Sequence, residues 1–180
     1  MSELGGDDGA ALPGGPVYAL GSSPAELGRL RRQSAELASH SARLLDRAGL
    51  RLGQAAADLG CGPSGILGLL ASRVGPAGRV TGLEINPASA ALAREFAAEH
   101  RLANVEVMQG DARSTGLPPD SFDLVHTRTL LINVPDPGGV VAEMVRLARP
   151  GSCVGAARPR PDGPAGPTWP GRVITMPRPA

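Results

Sequence analysis

Between Ser23 and Arg149 the apolar residues change period repeatedly, and each change marks a new element. Leu27, Leu30, Leu37, Leu44 and Leu45 fall mostly on one side of a helical projection, with Arg29, Arg32, Glu36 and Arg43 elsewhere. Ser23-Pro24-Ala25-Glu26 supplies a capping serine, a proline at the first helical position and a glutamate three residues after the cap. These signals predict an amphipathic helix to about Ala48, stopped by Gly49. The pattern then shortens. Gln54–Asp58 is placed as a first strand by its position before a glycine turn, against the helical propensity of its alanines. Ser64–Arg73 predicts a helix with Ile66, Leu67, Leu69 and Leu70 apolar, and Gly75-Pro76-Ala77-Gly78 a turn. Arg79–Glu84 alternates as a second strand, followed by a helix from Pro87 to about His100 with Ala91, Leu92, Phe96 and Ala97 at helical spacing. Val105–Gln109 and Phe122–His126 read as the third and fourth strands. Asp136-Pro137 caps a last helix with Val140, Val141, Met144, Val145 and Leu147 inward, and Cys153–Ala156 reads as the stub of a fifth strand. This succession predicts an α/β fold, a doubly wound and mostly parallel sheet with right-handed crossovers and an N-terminal helical extension. Residues 1–16 are expected as a disordered leader, 17–49 as a helical cap, 50–156 as the domain, and 157–180 as a disordered tail.

The candidate chemistry gathers at the strand ends. Gly60-x-Gly62-x-x-Gly65 lies between the first strand and the helix after it. Glycines there permit positive φ and remove the Cβ atoms that would keep a ligand from the backbone, while the helix opening near Ser64 points N–H groups at the same place. In an open parallel sheet a ligand binds outside the carboxyl ends of the strands, where Asp58, Glu84 and Asp111 each follow or close a strand. Glu84 stands 19 residues beyond Gly65, the place for an acid that accepts ribose hydroxyls. These features suit NAD and other adenosine ligands alike. The first helix has two readings, a packing element or a lid whose polar face closes over the ligand, with Tyr18 and Gln33 as contacts.

Composition narrows the classes. Aromatic residues make up 2 % of the chain against 42 % hydrophobic, so the core is built from Leu, Val, Ile and Ala. The net charge of +1 gives no electrostatic footprint for nucleic acid or an anionic membrane. All 18 basic residues are arginine, which with the excess of Ala, Gly and Pro reads as coding from a GC-rich genome. The acidic start Met1–Asp8 lacks a secretory h-region, no apolar run reaches the length of a membrane span, and Cys61 and Cys153 are isolated thiols; a cytoplasmic protein is expected. Nothing has metal-ligand spacing, so no metal is expected.

Four stretches in order carry a family resemblance: Asp58-Leu59-Gly60-Cys61-Gly62, Gly82-Leu83-Glu84-Ile85-Asn86-Pro87, Gly110-Asp111-Ala112 and Phe122-Asp123-Leu124-Val125-His126. They resemble the successive motifs of class I S-adenosylmethionine-dependent methyltransferases, in particular the small-molecule enzymes, and Val140–Gly151 looks like that family's helix and turn before strand five. The resemblance covers about residues 50–151 and implies a Rossmann-like fold, S-adenosylmethionine as cofactor with S-adenosylhomocysteine as product, and a small organic methyl acceptor. It implies that the backbone of Gly60, Cys61 and Gly62 approaches the methionine end of the cofactor and that Asp58 orders the loop and meets the amino group. Glu84 would take the ribose hydroxyls, Ile85 would lie against adenine, and Asp111 and Ala112 would read the adenine edge. His126, Thr127 and Arg128 would line the place where donor and acceptor meet. His126 is the one candidate general base, its other reading being a buried histidine bonded to backbone; Arg128 reads also as a salt-bridge residue, and Asp111 as a turn cap.

Two departures stand out. Glu84 replaces the family's more usual aspartate, and the seven-strand pattern stops near Gly151, followed by eight prolines and five glycines in residues 150–180. Such a tail is what an out-of-frame reading of a GC-rich gene gives, so the last strands are expected to be missing and the product truncated or frameshifted. Three functions follow: methyl transfer to a small molecule, a binding remnant without turnover, or an NAD-binding oxidoreductase fragment. The helical preface before the first strand, Gly110-Asp111 after the third, and the lack of sequence for a separate catalytic domain weigh against the last.

Overall fold

The computed structural model describes residues 38–157 and 172–177. Its elements are α1 (Ala38–Ala48), β1 (Ala55–Leu59), α2 (Leu67–Val74), β2 (Arg79–Glu84), α3 (Pro87–Glu99), β3 (Val105–Gln109), β4 (Phe122–Arg128), α4 (Pro137–Leu147), β5 (Ala148–Ala157) and β6 (Arg172–Thr175). They form one six-stranded sheet in the order β3-β2-β1-β4-β5-β6. Every pairing is parallel except that of β5 with β6. The order reverses between β1 and β4, which makes their carboxyl ends the topological switch point.

The two faces bury different clusters. On one, Leu44 and Leu45 of α1 and Leu67, Leu70 and Val74 of α2 pack with Ala56, Val80 and Leu124. On the other, Val140, Met144 and Leu147 of α4 and Leu130 pack with Ala55, Ala57, Leu59, Leu83 and Val125. All five residues of β1 are buried, so its alanines are strand because tertiary packing overrides their helical propensity. Small side chains in a strand covered on both faces let helices sit close to the sheet.

The structure corrects several expectations. α2 begins at Leu67 rather than Ser64, because Gly62 and Gly65 hold φ of 61° and 49°, outside the right-handed helical region. Val141 and Val145 lie on the exposed side of α4, since the helix turns Val140, Met144 and Leu147 inward and leaves no room for a wider stripe. In α3 the buried alanines are Ala90 and Ala93, whereas Ala91 faces outward. The fifth strand is ten residues long rather than a stub, and it is not the last: Arg172–Thr175 pairs antiparallel along Cys153–Ala156. The expected tail over 157–180 therefore contains a strand-forming Arg-Val-Ile-Thr segment between its prolines, with Val173 packed onto the core. Residues 158–171 and 178–180, like residues 1–37 with the leader and most of the helical cap, fall outside the described residues.

The opposite edge of the sheet, β3, is handled differently. The Arg94 guanidinium donates from Nε to the Val107 carbonyl at 3.0 Å. No helix among the described residues is long and apolar enough to cross a membrane.

A buried carboxylate ties the loop before β4 to α4. Glu143 accepts from the Thr115 amide at 2.9 Å and hydroxyl at 2.6 Å, and from Arg146 Nε at 2.7 Å and Nη2 at 2.6 Å. Arg146 and then Thr115 hold the Glu143 carboxyl down at about 2, against the opposing effect of burial. The folded pKa is depressed, so the stabilisation is full above the ordinary glutamate range and is lost as pH falls through it toward about 2. Glu143→Gln is expected to cost roughly 1.5–3 kcal/mol at neutral pH, as for hydrogen bonds to a charged group. Thermal melts across the acid range check this: the wild type loses its advantage over the variant as pH drops from about 4.5 toward about 2.

Candidate functional site

β1 and β2 end side by side, with Leu59 in register with Leu83. The Gly60 and Cys61 amides both donate to the Leu83 carbonyl, at 2.8 and 3.0 Å, which folds the chain back over β2. This bend requires positive φ at Gly60, Gly62 and Gly65, and the three are not equivalent. A Cβ on Gly60 would lie 2.9 Å from Leu130 Cδ1, and one on Gly65 would be driven into the Cys61 carbonyl and to 2.7 Å from Asp58 Oδ2. At Gly62 the space within 4 Å of that position is empty, so there the backbone faces open ground.

The turn is held from below by two buried carboxylates. Glu84 Oε2 accepts from the Gly62 amide and Oε1 from the Asn86 amide, both at 2.9 Å. Burial pushes the Glu84 carboxyl up, and these amide bonds partly offset it. Asp58 accepts from His126 Nδ1 through Oδ1 at 2.7 Å, and from the Ile66 amide through Oδ2 at a long 3.5 Å. The N–H at the start of α2 is thus directed at Asp58. Cys61 is buried, its thiol raised well above the ordinary range by burial and then by Asp58 and Glu84.

A cleft opens over the ends of β1, β2 and β3. Gly60, Leu83, Glu84, Ile85, Asp111 and Ala112 supply one side, and Leu130, Val134, Pro135 and Val140 the other. Of the residues expected from the sequence, Gly60, Glu84, Ile85, Asp111 and Ala112 come together there, and Gly62 is bonded to Glu84. Asp111 is already engaged: Arg113 reaches both its oxygens, with Nη2 to Oδ2 at 2.6 Å, and lowers its pKa. The backbone amide of Arg113 also donates to Asp111 Oδ1, so the turn-cap reading holds alongside a place in the cleft.

The residues at the end of β4 lie elsewhere. His126 is wholly buried beside Asp58, opposite Gly155, and its partner is a carboxylate rather than backbone. It does not line the cleft. Thr127 is buried too, its hydroxyl donating to the Leu59 carbonyl at 2.8 Å. Arg128 turns toward α1, donating to Ser41 Oγ at 3.3 Å, and burial lowers its pKa while Asp58 opposes the shift. Tyr18 and Gln33 fall outside the described residues. The apolar wall of Leu130, Val134 and Pro135 was not anticipated; its only sequence signal is position, just after a strand that ends at the switch point. Thr129, which joins β4 to the 3-10 turn Leu130–Ile132, carries φ of 62°, a conformation rare for a β-branched residue and a local strain just before the cleft residue Leu130. No group of His, Cys, Asp and Glu that could hold a metal occurs among the described residues.

Comparison with known proteins agrees with this geometry. A solved S-adenosylmethionine-dependent methyltransferase from Aquifex aeolicus superposes with a TM-score of 0.70 over 79 % of this chain and 78 % of its own, at 24 % identity, which establishes the shared fold. Nocamycin O-methyltransferase of Saccharothrix syringae is 40 % identical over 120 residues, 66 % of this chain and 42 % of the relative. Demethylmenaquinone methyltransferase of Listeria monocytogenes is 36 % identical over 109 residues, 59 % of this chain and 46 % of the relative. The chain thus spans less than half the length of these curated relatives. The family model described as a methyltransferase domain matches residues 53–164, from the residue before β1's lead-in to beyond β5. With more than half of its residues matched, the chain belongs to the methyltransferase-domain family.

Proposed function

We propose that the chain binds S-adenosylmethionine in the cleft above β1, β2 and β3 and serves its methyl transfer to a small organic acceptor, leaving S-adenosylhomocysteine. The observation that carries this reading is the pairing of a buried Glu84 carboxylate with the open backbone at Gly62, on the strand adjoining the glycine turn. The residues fit the cofactor. Glu84 keeps lone pairs beyond the two it gives to Gly62 and Asn86, enough to accept a ribose diol. Ile85 offers an apolar surface to a base, and Ala112 and Asp111 stand where its edge would be read. Membership of the methyltransferase-domain family and the names of the relatives support the same cofactor.

When bound, the sulfonium supplies an activated methyl group. The protein's part is then to hold donor and acceptor in line and keep water out. Leu130, Val134, Pro135 and Val140 do the second by closing one side of the cleft with apolar surface. The near-neutral charge supports a small acceptor rather than a nucleic acid, and the isolated cysteines support a cytoplasmic setting.

Calorimetric titration with S-adenosylmethionine, S-adenosylhomocysteine and NAD in parallel tests the reading. Binding of both sulfur ligands and none of NAD is expected, and Glu84→Ala is expected to weaken it about 10–100-fold, the loss of hydrogen bonds to one charged group. NAD binding, or affinity indifferent to Glu84, overturns it. Gly65→Ala is a second test on the turn: a Cβ there meets backbone and Asp58, so a stability loss of roughly 1–3 kcal/mol with loss of cofactor binding is expected in melting and titration.

A further inference from the structure

We propose that His126 is a positioning residue that fixes the glycine turn through Asp58, without itself touching a ligand. The inference deepens the cofactor reading above and rests on it for its functional consequence. Asp58 and His126 stand in register on adjacent strands, β1 and β4, and their side chains meet at 2.7 Å on the same face of the sheet. The carboxylate can only accept, so Nδ1 carries the hydrogen between them. That bond fixes Oδ1, and with it the direction of Oδ2. Oδ2 then faces the turn, accepting from the Ile66 amide and lying so near Gly65 that only a glycine leaves room.

The imidazole is itself confined. Gly155 of β5 lies opposite it, and a Cβ there would stand 3.7 Å from His126 Cδ2 and 3.2 Å from Leu44 Cδ2, so the ring, β5 and α1 meet closely at that point. His126 is 0 % exposed, and its Nε2 has no hydrogen-bond partner among the described residues. Burial of a polar ring with one nitrogen unused is a cost that a hydrophobic residue would avoid. The return lies in what Nδ1 orients. Position 126 needs a donor at one atom, and any side chain that provides it at the same place serves.

Two amides separate this role from mere bulk. The Nδ2 of His126→Asn occupies the place of Nδ1 and donates to Asp58, whereas the amide of His126→Gln sits where Nε2 was and loses that contact. Hydrogen exchange in ligand-free protein is the first readout. In His126→Gln the amides of Gly60–Leu67 are expected to exchange about tenfold faster, with Val105–Gln109 unchanged, and in His126→Asn to stay within about twofold of wild type. The second readout is calorimetric: affinity for S-adenosylmethionine falls about tenfold in the glutamine variant and is retained in the asparagine one. Equal behaviour of the two variants, or faster exchange spread evenly over the sheet, overturns the proposal. Should wild-type protein fail to bind S-adenosylmethionine, the cofactor reading falls, while the exchange contrast at Gly60–Leu67 still decides the role of His126.

Discussion

A single buried carboxylate at the switch point constrains the rest of the site. Asp58 is 2 % exposed, and a polar group so placed is tolerable only when its oxygens are occupied. Its partners come from three directions: the His126 ring across β4, the Ile66 amide at the start of α2, and the field of Arg128 from the end of β4. Satisfying Asp58 therefore sets the spacing of β1, β4 and α2 at once. Burial raises both the Cys61 thiol and the Glu84 carboxyl, and the Asp58 charge adds to each, least at Glu84.

Above this constraint the cleft divides its labour by strand end and loop. Its polar residues, Glu84 and Asp111, close or follow strands, so the sheet fixes their positions. Its apolar surface comes from the segment after β4, where Leu130 packs against Gly60 and Val134 and Pro135 follow. The two halves are coupled at Gly60, since the turn and the apolar wall share one tight contact. Glu84 is held by the Gly62 and Asn86 amides, so the turn backbone itself fixes its carboxylate.

Most of the fold was legible where periodicity and turn residues agreed. β3 over Val105–Gln109, the helix opening at Pro87 and the cap at Asp136-Pro137 follow from local pattern alone. The alanines of β1 do not announce a strand; their placement depended on the glycines that follow. α2 starts later than Ser64 because Gly62 and Gly65 both hold left-handed φ, so the whole stretch between them belongs to the turn. β6 was hidden because four strand-forming residues lie among prolines, and only pairing with β5 gives them a sheet. In the site, the acids at strand ends were visible, since spacing from a glycine turn is a linear quantity. The bond between Asp58 and His126 joins residues 68 apart, and the grip of Arg113 on Asp111 depends on turn geometry; neither has a linear signature. The apolar wall was missed for a different reason, because Leu, Val and Pro after a strand look the same whether they face a core or a cleft.

The bond from Arg94 to the Val107 carbonyl has a consequence for how copies of this protein meet one another. β3 is an outer strand, and a bare outer strand offers its free backbone as a template on which a second molecule can extend the sheet. Here a guanidinium already occupies one of those carbonyls. An incoming strand would have to displace it and bury a positive charge against its own backbone, with no acid supplied in return. The guard is a matter of charge rather than cover, so it weakens as salt screens it. Sheet-to-sheet association through this edge is accordingly a property of the solution as much as of the chain.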